Sequence, residues 1–217
     1  NVNLGYDFIT DMLILEFQLD NSLIDTQQKN NPWFSRAAQS LAEALRLTAS
    51  QELDIEFTEL VTGYRLRKNA KGSYIDIYLY DSLSSGAGYA VSVAADIGLL
   101  LDKVEKLLSG CDCNSACHKC LKHYRNQYVH GMLDRFAALE LLRWGERGAL
   151  AAEIPQSLQQ TYIAPLSNIL LQSGCMISVE ADRIDVESQG QRKCIVVYPA
   201  MWVEPNKEDT IFVSDAL

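Results

Sequence analysis

The chain has 217 residues, of which 48% are hydrophobic and 22% are charged, as is usual for a globular protein with a sizeable core. The longest apolar-leaning run, residues 90–101, is too short and too polar to span a bilayer, and no secretion signal is visible. The net charge of −9 argues against a stand-alone nucleic-acid binder, which is usually basic. Because the sequence starts at Asn1 without Met, we interpret it as a piece of a longer polypeptide.

Strand and helix patterns alternate in the first part of the chain. Hydrophobic residues alternate with polar ones in three short runs, which is strand periodicity. Asn31 followed by Pro32 is typical of a helix start, and apolar residues then recur at helical spacing. These patterns predict strands at residues 13–19, 55–61 and 75–79, a helix at residues 32–45, and a turn at residues 69–72 between the last two strands.

The second half of the chain is predicted to begin with a helix and to end in strands. Apolar residues between Val93 and Leu108 lie on one side of a single predicted helix, which Gly110 ends. Four cysteines follow, and then a second amphipathic helix. The remaining predicted elements are helices at residues 133–144 and 155–172, and strands near residues 176–179, 183–187 and 194–198.

These elements predict an α+β fold, in which a small mixed sheet is packed by helices and the cysteines lie between two of them. A short β-rich tail follows. After Gly148 the sequence pattern changes to one predicted helix followed by three short strands. We therefore expect one domain at residues 1–150 and a second part, of unknown function, at residues 151–217.

The cysteine cluster has the spacing C-x-C-x3-C-x2-C and consists of Cys111, Cys113, Cys117 and Cys120. Cysteines that form the disulfides of a secreted protein are spread along the chain, whereas a cluster indicates metal ligation in a reducing compartment. We therefore expect a cytoplasmic protein. Four thiolates fill a tetrahedral zinc shell, which predicts a structural Zn²⁺ without catalysis at the metal. An iron–sulfur cluster is a less favoured alternative, because ten residues give little reach, and disulfides rank lower still.

Several short motifs flank the cysteines. They are Tyr80-Asp81, the turn Gly86-Ala87-Gly88-Tyr89, Asn126 with His130, and Leu133-Asp134-Arg135. Together with the cysteines they resemble the MrfA-like zinc-binding domain of superfamily-2 DEAD/DEAH-type helicases, whose members occur in DNA repair and in phage defence. The resemblance covers roughly residues 10–147. Ser84-Ser85 departs from it, since members usually carry Pro or Gly there.

The segment from Lys103 to Arg147 contains eight Lys and Arg residues against five acids, a local basic excess. The candidate contacts to nucleic acid or to a partner are Lys119, Lys122, Arg125, Asn126, His130 and Arg135. On the charge pattern alone, a solvated helix surface explains these residues better. Asn126, His130, Asp134 and Arg135 are better explained as a hydrogen-bond network that fixes the loop onto the helix. Tyr124 can stack on a base, although half-buried packing is the commoner role.

Two other candidate sites have a simpler structural explanation. The turn Gly86–Gly88 precedes a helix and can offer N–H groups to a phosphate, but a tight strand-to-helix turn explains it better. In the tail, Asp185, Glu187 and Lys193 weakly resemble a nuclease set, and alternating polar positions on a strand explain them as well. No Walker A sequence is present. We therefore expect no catalytic residue in this chain.

The resemblance implies a non-enzymatic accessory domain of an ATP-dependent DNA helicase or translocase, in phage defence or DNA repair, which positions DNA or braces the motor. Its expected partners are helicase motor domains, in cis or in trans, and DNA, with no membrane. The alternative is a protein-interaction scaffold of a defence complex that makes no nucleic-acid contact. The acidic overall charge favours the scaffold, and the basic segment favours DNA.

Overall fold

The computed structural model describes residues 7–19, 32–148, 156–180, 183–188, 190–202 and 204–214, which form two compact units. The first unit contains β1 (Met12–Leu19), α1 (Pro32–Glu52), β2 (Leu60–Asn69), β3 (Gly72–Asp81), α2 (Tyr89–Ala95), α3 (Ile97–Ser109) and α4 (Arg135–Arg147), with 3-10 helices at Phe57–Glu59 and Tyr124–Met132. The second unit contains α5 (Gln156–Gln172), β4 (Met176–Val179), β5 (Ile184–Ser188), β6 (Gln191–Tyr198) and β7 (Thr210–Ser214).

The sheet of the first unit has the strand order β1-β3-β2, and both strand pairs are antiparallel. A two-residue turn joins β2 to β3, because Asn69 pairs with Gly72. Since side chains alternate between the faces of a strand, one face of β3 carries Ile75, Ile77 and Leu79, and all three are buried. That face is the sheet's contribution to the hydrophobic core.

Helix α1 is buried on every side rather than along one stripe. Its apolar residues from Ala37 to Leu45 are almost fully buried, as the helical spacing predicts. Polar residues of the same helix are buried as well, among them Ser40, Glu43 and Arg46. The Nε atom of Arg46 donates to the carbonyl oxygen of Phe57 at 3.0 Å, which satisfies part of its buried guanidinium. α1 is thus the central helix of the unit.

Two predicted elements differ from the structure. The alternating pattern at residues 55–61 does not form a strand throughout, because Phe57–Glu59 is a 3-10 helix and β2 begins at Leu60. The single helix predicted across residues 93–108 is divided into α2 and α3 at Asp96. The Asp96 carboxylate accepts a hydrogen bond from the N–H of Leu99 at 3.3 Å, so this residue caps a new helix.

The second unit has a four-stranded sheet of order β4-β5-β6-β7, in which only β6 and β7 are parallel among the described strands. α5 continues through Pro165. The hydrophobic core of the second unit consists of Ile163, Ile184, Ile195 and Val197. Helices with small sheets, and cysteines between α3 and α4, confirm the predicted α+β fold class. No helix in the described ranges has both the length and the apolar character needed to cross a bilayer.

Candidate metal centre

The four clustered cysteines lie on the loop that follows α3, and each contributes one sulfur to a compact group. All four Sγ atoms lie within 4.8 Å of one another. The Sγ–Sγ distances are 3.5 Å for Cys111 and Cys117, 3.6 Å for Cys113 and Cys120, and 3.9 Å for Cys117 and Cys120. A zinc ion with Zn–S bonds of about 2.3 Å in a tetrahedron separates its sulfurs by about 3.8 Å. The donor set therefore fits zinc.

Backbone N–H groups of the loop point at the sulfurs. The N–H of Cys117 donates to Cys120 Sγ at 3.2 Å, and the N–H of Lys119 donates to Cys117 Sγ at 3.3 Å. The Lys119 N–H, assisted by the Cys111 thiol, lowers the pKa of Cys117 to about 7. Burial raises the pKa of Cys113 to about 12, and it also raises the pKa of Cys120. Since zinc binds thiolates, metal binding has to release protons from the buried thiols, which makes affinity dependent on pH.

Arg135 connects the cysteine loop to the helices on either side of it. Its Nε atom donates to the carbonyl oxygen of Cys113 at 2.9 Å, and its Nη1 atom donates to the carbonyl oxygen of Leu108, on the last turn of α3, at 3.0 Å. The backbone N–H of Arg135 also donates to Ser115 at 2.8 Å. The side chain is buried. One residue at the start of α4 thus holds α3 and the metal loop together.

Asn126 fixes the segment that follows the cysteines onto α1. Its Nδ2 atom donates to Glu43 Oε2 and to the Leu121 carbonyl, both at 3.0 Å. Its Oδ1 atom accepts from the N–H of His123 at 2.8 Å and lies 2.9 Å from His130 Nε2. Asn126 is 1% exposed and Glu43 is also 1% exposed. Asn126 is therefore a buried junction of four hydrogen bonds.

Asp134 caps α4. Its Oδ1 atom accepts hydrogen bonds from the N–H groups of Phe136 at 2.9 Å and Ala137 at 3.3 Å, which is the N-cap arrangement. Its own N–H donates to Ser40 Oγ at 2.8 Å, so α1 also holds this end of the loop. Burial raises the pKa of Asp134, and the two backbone N–H groups oppose that rise.

The six candidate contact residues fall into two groups. Asn126 and Arg135 are buried and use their polar atoms inside the protein, so we remove both from the candidate contact surface. His130 is half-buried in the same network, with Nε2 3.1 Å from the His123 carbonyl. Lys119 and Arg125 are exposed, and Lys122 is half-buried.

A cleft of about 720 Å³ opens beside the sulfurs. Lys106, His118 and Lys119 line it, together with the acid Asp112. Lys106 was not among the residues suggested by the sequence, because it lies in α3, five residues before the first cysteine. Cys111, Cys113 and Cys117 also line this cleft, so the two lysines lie directly beside the metal site.

The glycine-rich turn does not offer free N–H groups to a phosphate. The Asp81 carboxylate accepts from the N–H of Ala87 at 2.6 Å, of Tyr89 at 3.1 Å and of Ala90 at 2.8 Å. Asp81 is completely buried, so an internal carboxylate occupies the start of α2. Gly86 has φ of +76° and packs so close to the Asp11 carboxylate that a Cβ atom would overlap with it. This geometry agrees with the interpretation of residues 86–88 as a tight turn from strand to helix.

The nuclease-like set in the tail is divided between the faces of its sheet. Lys193 pairs directly with Val186, whereas Asp185 pairs with Cys194, and directly paired residues share a face. Lys193 therefore lies on the face opposite Asp185 and Glu187. The Asp185 carboxylate forms ion pairs with Arg183 at 3.4 Å and Arg192 at 3.1 Å. This arrangement contradicts a shared catalytic site.

Comparisons with known proteins agree with the metal site. Residues 41–121, which include all four cysteines, match the model of the MrfA Zn-binding domain family. The Druantia protein DruE of Escherichia coli (strain UMEA 4076-1) is 32% identical over an alignment of 223 positions, which covers 98% of this chain and 12% of DruE. The crystal structure of the DUF1998 helicase MrfA bound to DNA is 18% identical, with a TM-score of 0.42, over 54% of this chain and 15% of MrfA.

The family match confirms the predicted resemblance and the predicted cofactor. Residues 41–121 match the zinc-binding domain of MrfA, and the four cysteines are able to hold the ion. The chain spans only about an eighth of the DruE relative and a similar share of the MrfA chain.

Proposed function

We propose that this chain, which carries a MrfA-type zinc-binding domain, is a non-catalytic accessory part of an ATP-dependent DNA helicase or translocase that acts in phage defence or DNA repair in the cytoplasm. The zinc ion shapes the loop between α3 and α4, and the surface of that loop contacts DNA phosphates. The observation that carries this proposal is the separation of roles around the metal. Buried Arg135 and Asn126 hold the loop from inside, while Lys119 and Arg125 face solvent.

Two features support a role without catalysis. Four thiolates complete the zinc shell, so no position is left for a reacting water. The sequence also lacks a Walker A motif, so ATP hydrolysis has to come from motor domains, in cis or in trans.

The basic residues near the metal have a second possible use. A zinc ion with four thiolates has a net charge of about −2, and neighbouring cations or N–H groups stabilise it. Lys106 and Lys119 line the cleft beside the sulfurs and are placed for this task. If that is their only task, the chain is a scaffold, in agreement with its net charge of −9.

One experiment separates the two functions. Zinc-loaded chain is titrated into fluorescently labelled DNA at about 50 and 200 mM salt, and anisotropy gives the affinity. The double variant Lys119→Glu/Lys122→Glu should weaken binding. It should also reduce the slope of log affinity against log salt concentration by about 1.4, since each phosphate contact contributes about 0.7 on single-stranded DNA. Lys68→Glu/Lys71→Glu, on the exposed β2–β3 hairpin, is the matched charge control and should bind like the wild type at equal net charge.

The zinc content of each variant completes this test. Unchanged zinc content with weakened DNA binding supports the contact to phosphates. No DNA binding by the wild type at 50 mM salt would defeat the DNA function and favour the scaffold. Loss of zinc from Lys119→Glu/Lys122→Glu, with no DNA binding by either protein, would assign the lysines to the metal.

A further inference from the structure

A ladder of neighbouring planar groups lies next to the metal loop; its Phe57 and His123 rings are stacked, and its His123 and Tyr124 rings are tilted by 48°. The Arg46 guanidinium carbon lies 3.8 Å from the centre of the Phe57 ring. The Phe57 and His123 rings are stacked, with centres 4.3 Å apart and an interplanar angle of 26°. The His123 and Tyr124 ring centres are 5.9 Å apart, and the Arg125 guanidinium carbon lies 4.7 Å from the centre of Tyr124.

The ladder runs from the protein interior to its surface. Phe57 is buried, His123 is half-buried, and Tyr124 is 60% exposed. Tyr128, four residues further along the chain and beyond a kink at Asn126, is 77% exposed. Large aromatic rings contribute most to the stability of a fold when they are buried. Two such rings exposed within five residues therefore indicate a surface that binds a ligand.

Hydrogen bonds fix the backbone that carries the two rings. His123 Nδ1 accepts a hydrogen bond from the N–H of Arg125 at 3.1 Å, and Asn126 Oδ1 accepts one from the N–H of His123 at 2.8 Å. These two bonds form a capping box at the start of the helix. Asn126 lies between the tyrosines in sequence and is anchored to α1 through Glu43. A ligand therefore meets rings on a preorganised backbone, which lowers the entropy cost of binding.

We propose that Tyr124 and Tyr128 form a base-stacking platform for single-stranded nucleic acid, with Arg125, Lys122 and Lys119 neutralising the adjacent phosphates. The proposal rests on the proposed function, because it names the form of nucleic acid that the metal-loop surface takes. A nucleobase is a planar ring that replaces the Arg125 guanidinium over Tyr124, and the freed cation then pairs with a phosphate. Bases of a duplex are stacked on each other and offer no free face to a tyrosine.

Charge favours a nucleic acid over a protein segment as the ligand. Tyrosine and arginine also serve as anchors in protein interfaces, where charged residues are otherwise depleted at the centre. Here the two exposed rings are accompanied by three cations within ten residues, at positions 119, 122 and 125. Aromatic rings with flanking cations are the combination that single-strand binding proteins use.

The test compares strands that have equal charge but differ in their bases. The zinc-loaded chain is titrated with a labelled dodecamer of thymidine and with a dodecamer that has the same backbone but is abasic. Stacking on both rings predicts that the thymidine strand binds about thirtyfold more tightly, which corresponds to about 1 kcal/mol for each of the two stacked bases. A matched RNA strand shows whether the platform distinguishes the two sugars.

Variants of the tyrosines locate the effect. Tyr124→Ala and Tyr128→Ala should each remove most of the preference for the base-containing strand while zinc content stays unchanged. Tyr124→Phe should keep the preference, because the ring is retained. Gln127→Ala, an exposed change between the two rings, is the matched control and should behave like the wild type. A strand with 2-aminopurine should lose fluorescence on binding the wild type and keep it with the alanine variants.

Each contrary outcome has a distinct meaning. Equal affinity for the abasic and thymidine strands, with sensitivity to Lys119→Glu/Lys122→Glu, overturns the platform and leaves the phosphate-contact function standing. Unchanged affinity and fluorescence in both alanine variants overturns it as well. No binding of any strand overturns the platform together with the DNA function. Concentration-dependent dimerisation that Tyr124→Ala abolishes would reassign the rings to a protein interface and overturn the proposal.

Discussion

Replacing the buried junction Asn126 by alanine gives the sharpest test of how the metal loop is held. Asn126→Ala removes both the donor that binds Glu43 and Leu121 and the acceptor that binds His123 and His130. The side chain is 1% exposed, so the remaining partners have little access to water in the folded state. Because unpaired buried polar groups carry a full desolvation penalty, we expect a large loss of stability.

The magnitude follows from the four bonds. Three join Asn126 to uncharged partners, at about 1 kcal/mol each, and the bond to the Glu43 carboxylate contributes about 2 kcal/mol. All four together amount to about 5 kcal/mol. Water that enters the space left by the amide recovers part of this, so we expect a decrease of about 3–4 kcal/mol in the free energy of unfolding. Such a decrease is a large fraction of the stability of a typical domain.

Urea unfolding followed by circular dichroism measures this change, with zinc present in both proteins. Gln127→Ala changes the exposed neighbour and should stay within about 0.5 kcal/mol of the wild type. Zinc content should fall in Asn126→Ala on dilution, because the loop that carries the cysteines loses its attachment to α1. A loss of stability below about 1 kcal/mol, with zinc retained, would refute the view that this network holds the loop.

Three other perturbations follow from the structure. Cys117→Ser, or a strong chelator, should remove the zinc and lower the melting temperature by several degrees; an unchanged melting curve in a metal-free chain would contradict the metal site. Hydrogen bonds from Arg67, followed by those from Arg65, lower the pKa of Asp76 below its usual 3.8. The stability that these hydrogen bonds contribute is fully present above pH 3.8 and is lost as the pH falls through the lowered pKa of Asp76. Asp76→Asn should therefore make the free energy of unfolding less dependent on pH in acid, as urea titrations at several pH values would show. Gly86→Ala should cost about 1–3 kcal/mol, from its positive φ and its contact with Asp11, whereas Gly98→Ala, with open space around it, should be neutral or slightly stabilising in urea titrations.

Local patterns in the sequence predicted the parts of the fold that depend on local chemistry. The four cysteines occupy ten residues, so their ligand geometry needs no distant partner. Pro32 was a correct helix start because its fixed φ favours the first helical turn. The division of functions between residues 1–150 and 151–217 stays a prediction.

Parts that depend on tertiary packing could not be predicted in this way. Glu43 lies off the apolar stripe of α1, so helical spacing alone places it in solvent, whereas in the structure it is buried against the segment that carries Asn126. Its partner Asn126 is 83 residues away. The alternation at residues 55–61 indicated a strand, yet the Phe57 ring is turned into a stack with Arg46 and His123. Periodicity carries no information about such distant partners.

The position of β1 has a consequence for synthesis on the ribosome. β2 and β3 form a local hairpin, but among the described strands β1 pairs with β3 alone, where Leu15 lies opposite Ile77. In the nascent chain β1 is therefore translated first and waits for about 60 more residues before its hydrogen-bonding partner exists. Glu16 and Gln18 make the second half of its exposed face polar, which keeps that part of the waiting strand compatible with water and limits pairing with other chains.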